Sequence, residues 1–190
     1  MYRSNAKVSK AEGIILSRKN IAEADRIVTI FTKEFGKLRL MAKGIRKTAS
    51  RRAPYLEIFS HVNIVIHQGK GMESITEVTP VGEQDLLRND LERISVAYFY
   101  CELVNHLLPE KQEHRDVFIL LADALDVLRH STFESIGSQS KTFALALLRL
   151  LGFLESTRDL GGKELQSFIE NITERRLRTP KLIKQVFMAS

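Results

Sequence analysis

Residues 43–52 read Lys-Gly-Ile-Arg-Lys-Thr-Ala-Ser-Arg-Arg, five cations with no carboxylate among them. They continue a stretch in which Lys37, Arg39 and Lys43 share one parity of the chain. If strand and loop are contiguous, Lys37, Arg39, Lys43, Arg46, Lys47, Arg51 and Arg52 form one positive track. A polyphosphate suits such a track, because each neutralised phosphate releases condensed counterions. The small residues between the arginines let them follow a backbone. Four aromatics lie close in sequence. Phe31 and Phe59 read as interior packing, whereas Phe35 and Tyr55 adjoin turns, where a base could stack. A second cluster, Arg175, Arg176 and Arg178 with Lys181 and Lys184, sits at the junction of the last helices. It reads either as a further phosphate contact or as cations favoured by a helix C-terminal dipole.

Other chemistry is poorly served. The five histidines share no metal-ligand spacing; His61 and His67, six apart on a strand, are separated by roughly 20 Å, too far to share an ion. The single cysteine, Cys101, falls on the apolar side of a helical pattern, which excludes an intramolecular disulfide and argues for packing over nucleophilic attack. Gly69-Lys70-Gly71 has neither the spacing nor the strand-to-helix context of a phosphate loop. Glu23-Ala24-Asp25-Arg26 reads as turn and ion-pair chemistry rather than an acid/base pair. No catalytic residue, metal or cofactor is therefore expected, and the protein reads as no enzyme.

The positioning elements change character near Pro80. Before it, the texture is β. In residues 37–44, Leu38, Leu40 and Ala42 alternate with Lys37, Arg39, Met41 and Lys43, giving one apolar and one cationic face. Val62, Ile64 and Ile66 alternate with Asn63, Val65 and His67. The β-branched run 27–32 reads as a strand buried on both sides or at a seam, 13–17 as a first short strand and 72–78 as a last one. Glycine-containing turns at 33–36 and 68–71 separate strands, and 45–55 is one longer connection. Five short strands with one long basic loop predict a small barrel of the OB type, with an open SH3-like barrel as the near alternative.

After Pro80 the period becomes helical. Leu91, Ile94, Tyr98, Cys101, Val104 and Leu108 define a first helix capped by Asn89 or Asp90. A second covers about 116–130, with Phe118, Leu121, Leu125 and Leu128 inward and Asp123 and Asp126 outward. A third, about 139–151, is apolar nearly all round and reads as the central helix. Leu165, Phe168, Ile169 and Ile172 mark a fourth, and Thr179-Pro180 would start a short last one. The fold class is thus α+β: an OB-type barrel over 1–80 and a helical bundle over 81–190.

Charge follows the same division. Residues 1–82 carry 15 cations and 7 acids, a net of +8; residues 83–162 carry a net of −5 and residues 163–190 a net of +3. A basic first part beside an acidic middle suggests a polyanion-binding surface on one and a different task for the other. The longest apolar run, 143–154, is too short to span a bilayer and is interrupted by Arg149, and the first residues lead into no signal-like stretch. The expectation is a cytoplasmic, soluble protein.

Several stretches carry a resemblance. Glu12-Gly13-Ile14-Ile15-Leu16 is followed by residues 23–32, Glu-Ala-Asp-Arg-Ile-Val-Thr-Ile-Phe-Thr, then Phe35-Gly36-Lys37 and the basic Ala42-Lys43-Gly44-Ile45-Arg46-Lys47 with Ser50-Arg51. Gly69-Lys70-Gly71 before Ile75-Thr76-Glu77, Arg88-Asn89-Asp90-Leu91 and Leu107-Leu108-Pro109-Glu110 follow in order. In that order and spacing the chain resembles the RecO family of bacterial recombinational DNA-repair mediators, in a shortened form. Many relatives carry a longer, often zinc-binding, insertion after the Leu-Gly-Phe-Leu segment; here only 155–162 intervene. The resemblance implies an OB barrel followed by helices, and binding of single- and double-stranded DNA. It also implies annealing of complementary strands, and loading of RecA with RecR and often RecF at DNA coated by single-strand-binding protein, whose acidic tail many relatives bind. It places the protein in the cytoplasm with the nucleoid. The matching DNA contacts would be Lys37, Arg39, Lys43, Arg46, Lys47 and Arg51, with Arg175 and Arg176 at the far end. Two rival readings stay open: an RNA-binding OB module, since phosphates do not distinguish the two nucleic acids, and a protein adaptor whose helical part is the active one.

Overall fold

The structure, a computed structural model, describes residues 7–69, 71–82, 90–130 and 136–177. The chain divides into two compact units, Met1–Gln84 with Pro109–Arg115, and Asp85–Leu108 with Asp116–Ser190.

The first unit is a closed five-stranded barrel in the order β1-β2-β3-β5-β4. Its strands are β1 (Lys7–Ile21), β2 (Asp25–Thr32), β3 (Gly36–Ala42), β4 (His61–Gln68) and β5 (Ser74–Pro80). β1 is antiparallel to both β2 and β4, and the barrel closes through one parallel pair, Met41 with Ser74. This is the OB arrangement. The period-two apolar sets do the packing: Leu38, Leu40 and Ala42 of β3 and Val62, Ile64 and Ile66 of β4 enter one interior cluster with Ile15, Val28, Ile30 and Ile75.

β1 corrects the expected short first strand at 13–17. It runs 15 residues, because its first half pairs with β4 and its second half with β2. A register shift between Ile15 and Ser17 supplies the bend that lets one strand serve both neighbours. Only the middle of β1 is buried on successive residues, so its polar ends gave no periodic signal. The last strand likewise begins at Ser74 and ends at Pro80, two residues later at each end than 72–78.

Residues 109–115 are the larger correction. The sequence places them in the helical part, but they fold with the barrel. Glu110 bridges Lys37 in parallel, and the Lys111 N–H donates to the Lys37 carbonyl at 2.9 Å. The segment thereby covers part of the β3 edge, which a single rung to β5 leaves otherwise unpaired. Gly36 makes this approach possible. At φ +67° it ends the 33–35 turn in a left-handed conformation, and a Cβ there would lie 1.9 Å from the Gln112 carbonyl oxygen.

The second unit contains α1 (Leu91–Leu107), α2 (Arg115–His130), α3 (Ile136–Leu150) and α4 (Gly162–Thr173); Arg115 itself is grouped with the barrel unit. Asp90 caps α1, accepting from the Glu92 and Arg93 N–H groups at 2.9 and 3.2 Å. Asn89, the alternative cap, and the expected last helix from Thr179 lie outside the described residues. α2 buries Phe118, Leu121, Leu125 and Leu128 on one side, as the spacing predicts. α1, rather than α3, is the helix buried on most sides. It packs against both α3 and α4, so Val96, Phe99, Tyr100 and Leu103 are buried while Leu91, expected inward, is 69% exposed. Burial pushes the Tyr100 hydroxyl up to about 12, an effect its hydrogen bond to Ser140 partly offsets. The short 151–161 connection is stitched by Arg149 to the Arg158 carbonyl (2.9 Å), Lys141 to Asp159 (3.2 Å) and Arg158 over the Phe168 ring.

Candidate nucleic-acid interface

The basic loop after β3 is anchored at both ends by apolar side chains. Ile45 and Leu56 are fully buried in the interior cluster, so the residues between them are held as a compact excursion. Gly44, at φ +64°, starts it and donates its N–H to Asp25 Oδ1 at 2.8 Å. Successive turns follow, with Lys47 N–H to the Gly44 carbonyl at 3.2 Å and Ser50 N–H to the Lys47 carbonyl at 2.9 Å. The loop is also tied to the β1–β2 turn. The Arg46 N–H donates to the Ala24 carbonyl at 3.0 Å and its Nη1 to the Ala22 carbonyl at 3.1 Å.

Arg52 is a staple rather than a free cation. Its guanidinium donates to the carbonyls of Ile75 (2.9 Å), Thr76 (3.2 Å) and Lys43 (2.8 Å), tying the loop to β5 and to its own start. Its place on the expected phosphate track is corrected accordingly. Lys37 is corrected too. It is only 8% exposed, because the 109–115 segment lies along that part of β3, so it does not present an open cation.

What remains open is smaller and better defined. Arg39, Lys43, Lys47 and Arg51 are exposed and have no carboxylate partner among the described residues, and Arg46 is exposed beside them. Arg39 and Met41 fall on one line of β3 and Lys43 begins the turn that follows it, so Arg39 and Lys43 are at most about 13 Å apart along the chain. Pairing extends that face sideways. Ser17 and Thr29 register with Arg39, while Lys19 and Ile27 register with Met41. Lys19 is exposed and was missed from the sequence, because β1 was expected to end before it.

Neighbouring acids are already engaged. Glu57 is shared by Arg18 and Arg26, the latter at 3.1 Å, and Arg26 also donates to Asn20 at 3.1 Å. Asp25 accepts from Gly44, leaving Glu23 as the exposed carboxylate of the adjoining turn. The aromatics offer little stacking surface here. Phe31 and Phe59 are buried, as expected, and Tyr55 packs against the interior cluster. Phe35 is 40% exposed but belongs to the β2–β3 turn, away from the loop in the chain.

Arg175 and Arg176 are exposed just beyond α4, in the second unit, following Glu174 in a left-handed conformation. Arg178 lies outside the described residues, as do Lys181 and Lys184. Elsewhere, Glu12 bonds His61 Nε2 at 2.9 Å and Lys33 at 3.2 Å. Burial works to raise its pKa, but those two partners outweigh it and hold the carboxyl below its usual value. Cys101 is buried in α1. No group of three metal-ligating side chains occurs among the described residues, and none of their helices is long and apolar enough to cross a membrane.

Comparison with known proteins covers both units. The family model described as Recombination protein O N terminal matches residues 7–83, and Recombination protein O C terminal matches residues 88–158. The chain is 36% identical over 147 residues to the DNA repair protein RecO of Roseiflexus sp. (strain RS-1), covering 77% of this chain and 51% of that one. It is 34% identical over 145 residues to its namesake from Symbiobacterium thermophilum, covering 76% and 57%, and 30% identical over 169 residues to that of Caldanaerobacter subterraneus subsp. tengcongensis, covering 85% and 66%. The chain thus spans a little over half the length of the first two relatives.

Proposed function

Because this chain belongs to the RecO family, we propose that it acts in DNA repair and recombination as a non-catalytic mediator, holding DNA by its phosphates on the barrel. The carrying observation is the set Arg39, Lys43, Lys47 and Arg51. They are exposed and have no carboxylate partner among the described residues, on a strand and loop made rigid by buried Ile45 and Leu56 and by the Arg52 staple. Rigid cations hold phosphates without paying the ordering entropy of a flexible loop. No exposed aromatic lies on this loop, so bases of a bound strand are left free. A strand held by its backbone with free bases is ready to pair, and the cations screen its repulsion from a second strand. Single- and double-stranded DNA are both substrates on this reading, and annealing is its outcome.

Family membership extends the proposal to RecR and RecF as partners, to RecA loading and to the acidic tail of single-strand-binding protein. One depression of the helical unit, about 260 Å³ and lined from α1, α2 and α3, has Asp123 and no cation in its lining. It therefore offers an acidic tail no charge partner.

The test is anisotropy of a labelled oligo-dT at several salt concentrations. With about five phosphates engaged the slope of log K on log salt should be near −3.5, a loss of about 100-fold from 50 to 200 mM. Changing Arg39, Lys43, Lys47 and Arg51 to Ala together should flatten the slope by about 2.8 and slow annealing in proportion. Parental binding and annealing by that variant would sink the proposal, and equal competition by matched RNA would favour the RNA-binding reading.

A further inference from the structure

The closure of the barrel leaves a gap. Along β3, the Lys37 carbonyl accepts from Lys111 and the Met41 N–H donates to the Glu73 carbonyl at 2.8 Å. Residues of one parity turn both backbone groups to the same side of a strand, so the Arg39 N–H and C=O face this same edge. Among the described residues neither has a backbone partner there: β5 pairs with β3 at Met41, and the 109–115 segment pairs with it at Lys37. Lys111, at φ +60°, turns the segment off after one rung.

Beside this open rung lies a cavity of about 360 Å³, whose lining includes Leu38, Ile66, Phe35, Glu34, Glu73 and Glu113. Its floor is apolar, since Leu38 and Ile66 belong to the interior cluster. Three carboxylates line it against one cation, Lys111. Glu34 already accepts the Glu12 N–H and Glu73 accepts from Gln68, while the Glu113 carboxylate has no partner among the described residues. In a chain of net charge +6 this is a local reversal of sign, and it repels phosphate.

We propose that this seam is a docking site for a short extended peptide of a partner protein, one bearing an apolar side chain next to a lysine or arginine. One peptide residue exchanges two hydrogen bonds with Arg39, completing the ladder between Lys37 and Met41. The next peptide residue, whose apolar side chain points to the face opposite Arg39's, sits over Leu38 and Ile66, and the cation beside it is taken by Glu73 and Glu113. The gap spans four residues of β3, about 13 Å, which limits the inserted segment to about three residues. The site does not depend on the basic loop: its side chains are acidic where the loop's are basic, and its ligand is a peptide rather than a nucleic acid.

The test is amide exchange and chemical-shift mapping on the ¹⁵N-labelled full chain, with N-acetyl-Val-Leu-Arg-amide as probe. In the free protein the Arg39 amide should exchange at least about tenfold faster than those of Leu38 and Leu40, which the ladder to β2 protects. The probe should slow Arg39 by about tenfold and shift residues 35–39, 73 and 111–113. N-acetyl-Val-Leu-Glu-amide should do neither, and E73Q combined with E113Q should weaken the arginine probe by at least about fivefold. Both substitutions keep the side-chain shape, and an unchanged spectrum elsewhere verifies the fold. The proposal is overturned if Arg39 stays unprotected at millimolar probe, or if the acidic probe binds equally. Displacement of the arginine probe by oligo-dT would assign the seam to nucleic acid and overturn it as well. So would concentration-dependent protection of Arg39 in the free protein, which would assign the seam to a second copy of the chain.

Discussion

β3 carries two unlike surfaces. At its C-terminal end the chain runs into a loop whose backbone is fully organised: Ile45 and Leu56 are buried, Gly44 is bonded to Asp25, and Arg52 is bonded to three carbonyls. Its remaining cations are free because others do the structural work. Along the N-terminal half, the strand edge is only partly covered, and acidic side chains gather around an apolar floor. The loop shows that a run of like charges in sequence need not act as one unit. Of the five cations in 43–52, one is a staple and one is tied to a neighbouring turn. The seam shows how a barrel closed by one parallel rung leaves backbone groups open beside its interior.

The largest effect should come from removing what lets the 109–115 segment lie on β3. Gly36→Ala puts a methyl where the Gln112 carbonyl lies and strains a positive φ. The expected cost is about 3 kcal/mol or more in urea unfolding, with faster exchange at Lys111. Full stability in this variant would mean that the segment is not bound where described. A smaller effect separates the staple from its neighbour. Arg52→Ala removes three hydrogen bonds from a half-buried guanidinium and should cost about 1–3 kcal/mol, whereas Arg51→Ala, exposed and unpaired, should cost less than about 0.5. In DNA binding the order reverses, with Arg51→Ala lowering the salt slope by about 0.7. Equal behaviour of the two would dissolve the distinction between anchor and contact.

The smallest effect concerns acid. Glu12 is held below the usual 4.5 by its bonds to Lys33 and His61, against the opposing pull of burial. A carboxyl with a depressed folded value stabilises fully above its unfolded value and loses that contribution as pH falls through the folded one. Glu12→Gln should therefore cost stability at about pH 6, with the difference from the parent narrowing below about pH 4.5. Urea midpoints at several pH values check this; a difference that grows with acid would refute it.

Much of the fold was legible. The alternation in β3 and β4 named the faces that pack, and the α2 spacing named its buried side, because each element meets its neighbours on one face only. α1 was misread for the opposite reason. It packs against both α3 and α4, and its buried residues, Val96, Ala97, Phe99, Tyr100, Cys101, Leu103, Val104 and Leu107, follow no single stripe. The basic loop was legible as charge, but the division of labour within it was not. Arg51 and Arg52 are adjacent and chemically identical, and only the carbonyls of Ile75, Thr76 and Lys43 distinguish them. Lys37 followed the alternation of its strand, yet it is covered by residues more than seventy positions later.

The sequence by itself determined that a β half precedes a helical half, which side chains of β3 and β4 face inward, and that positive charge concentrates in 43–52. Those are properties of local order, set by the two- and 3.6-residue periods of the backbone and by composition. Tertiary structure alone decided which cations stay open, where the barrel wall is incomplete and what lies against it. Each of these depends on hydrogen bonds and contacts between residues distant in the chain, and no local pattern encodes which distant segment arrives.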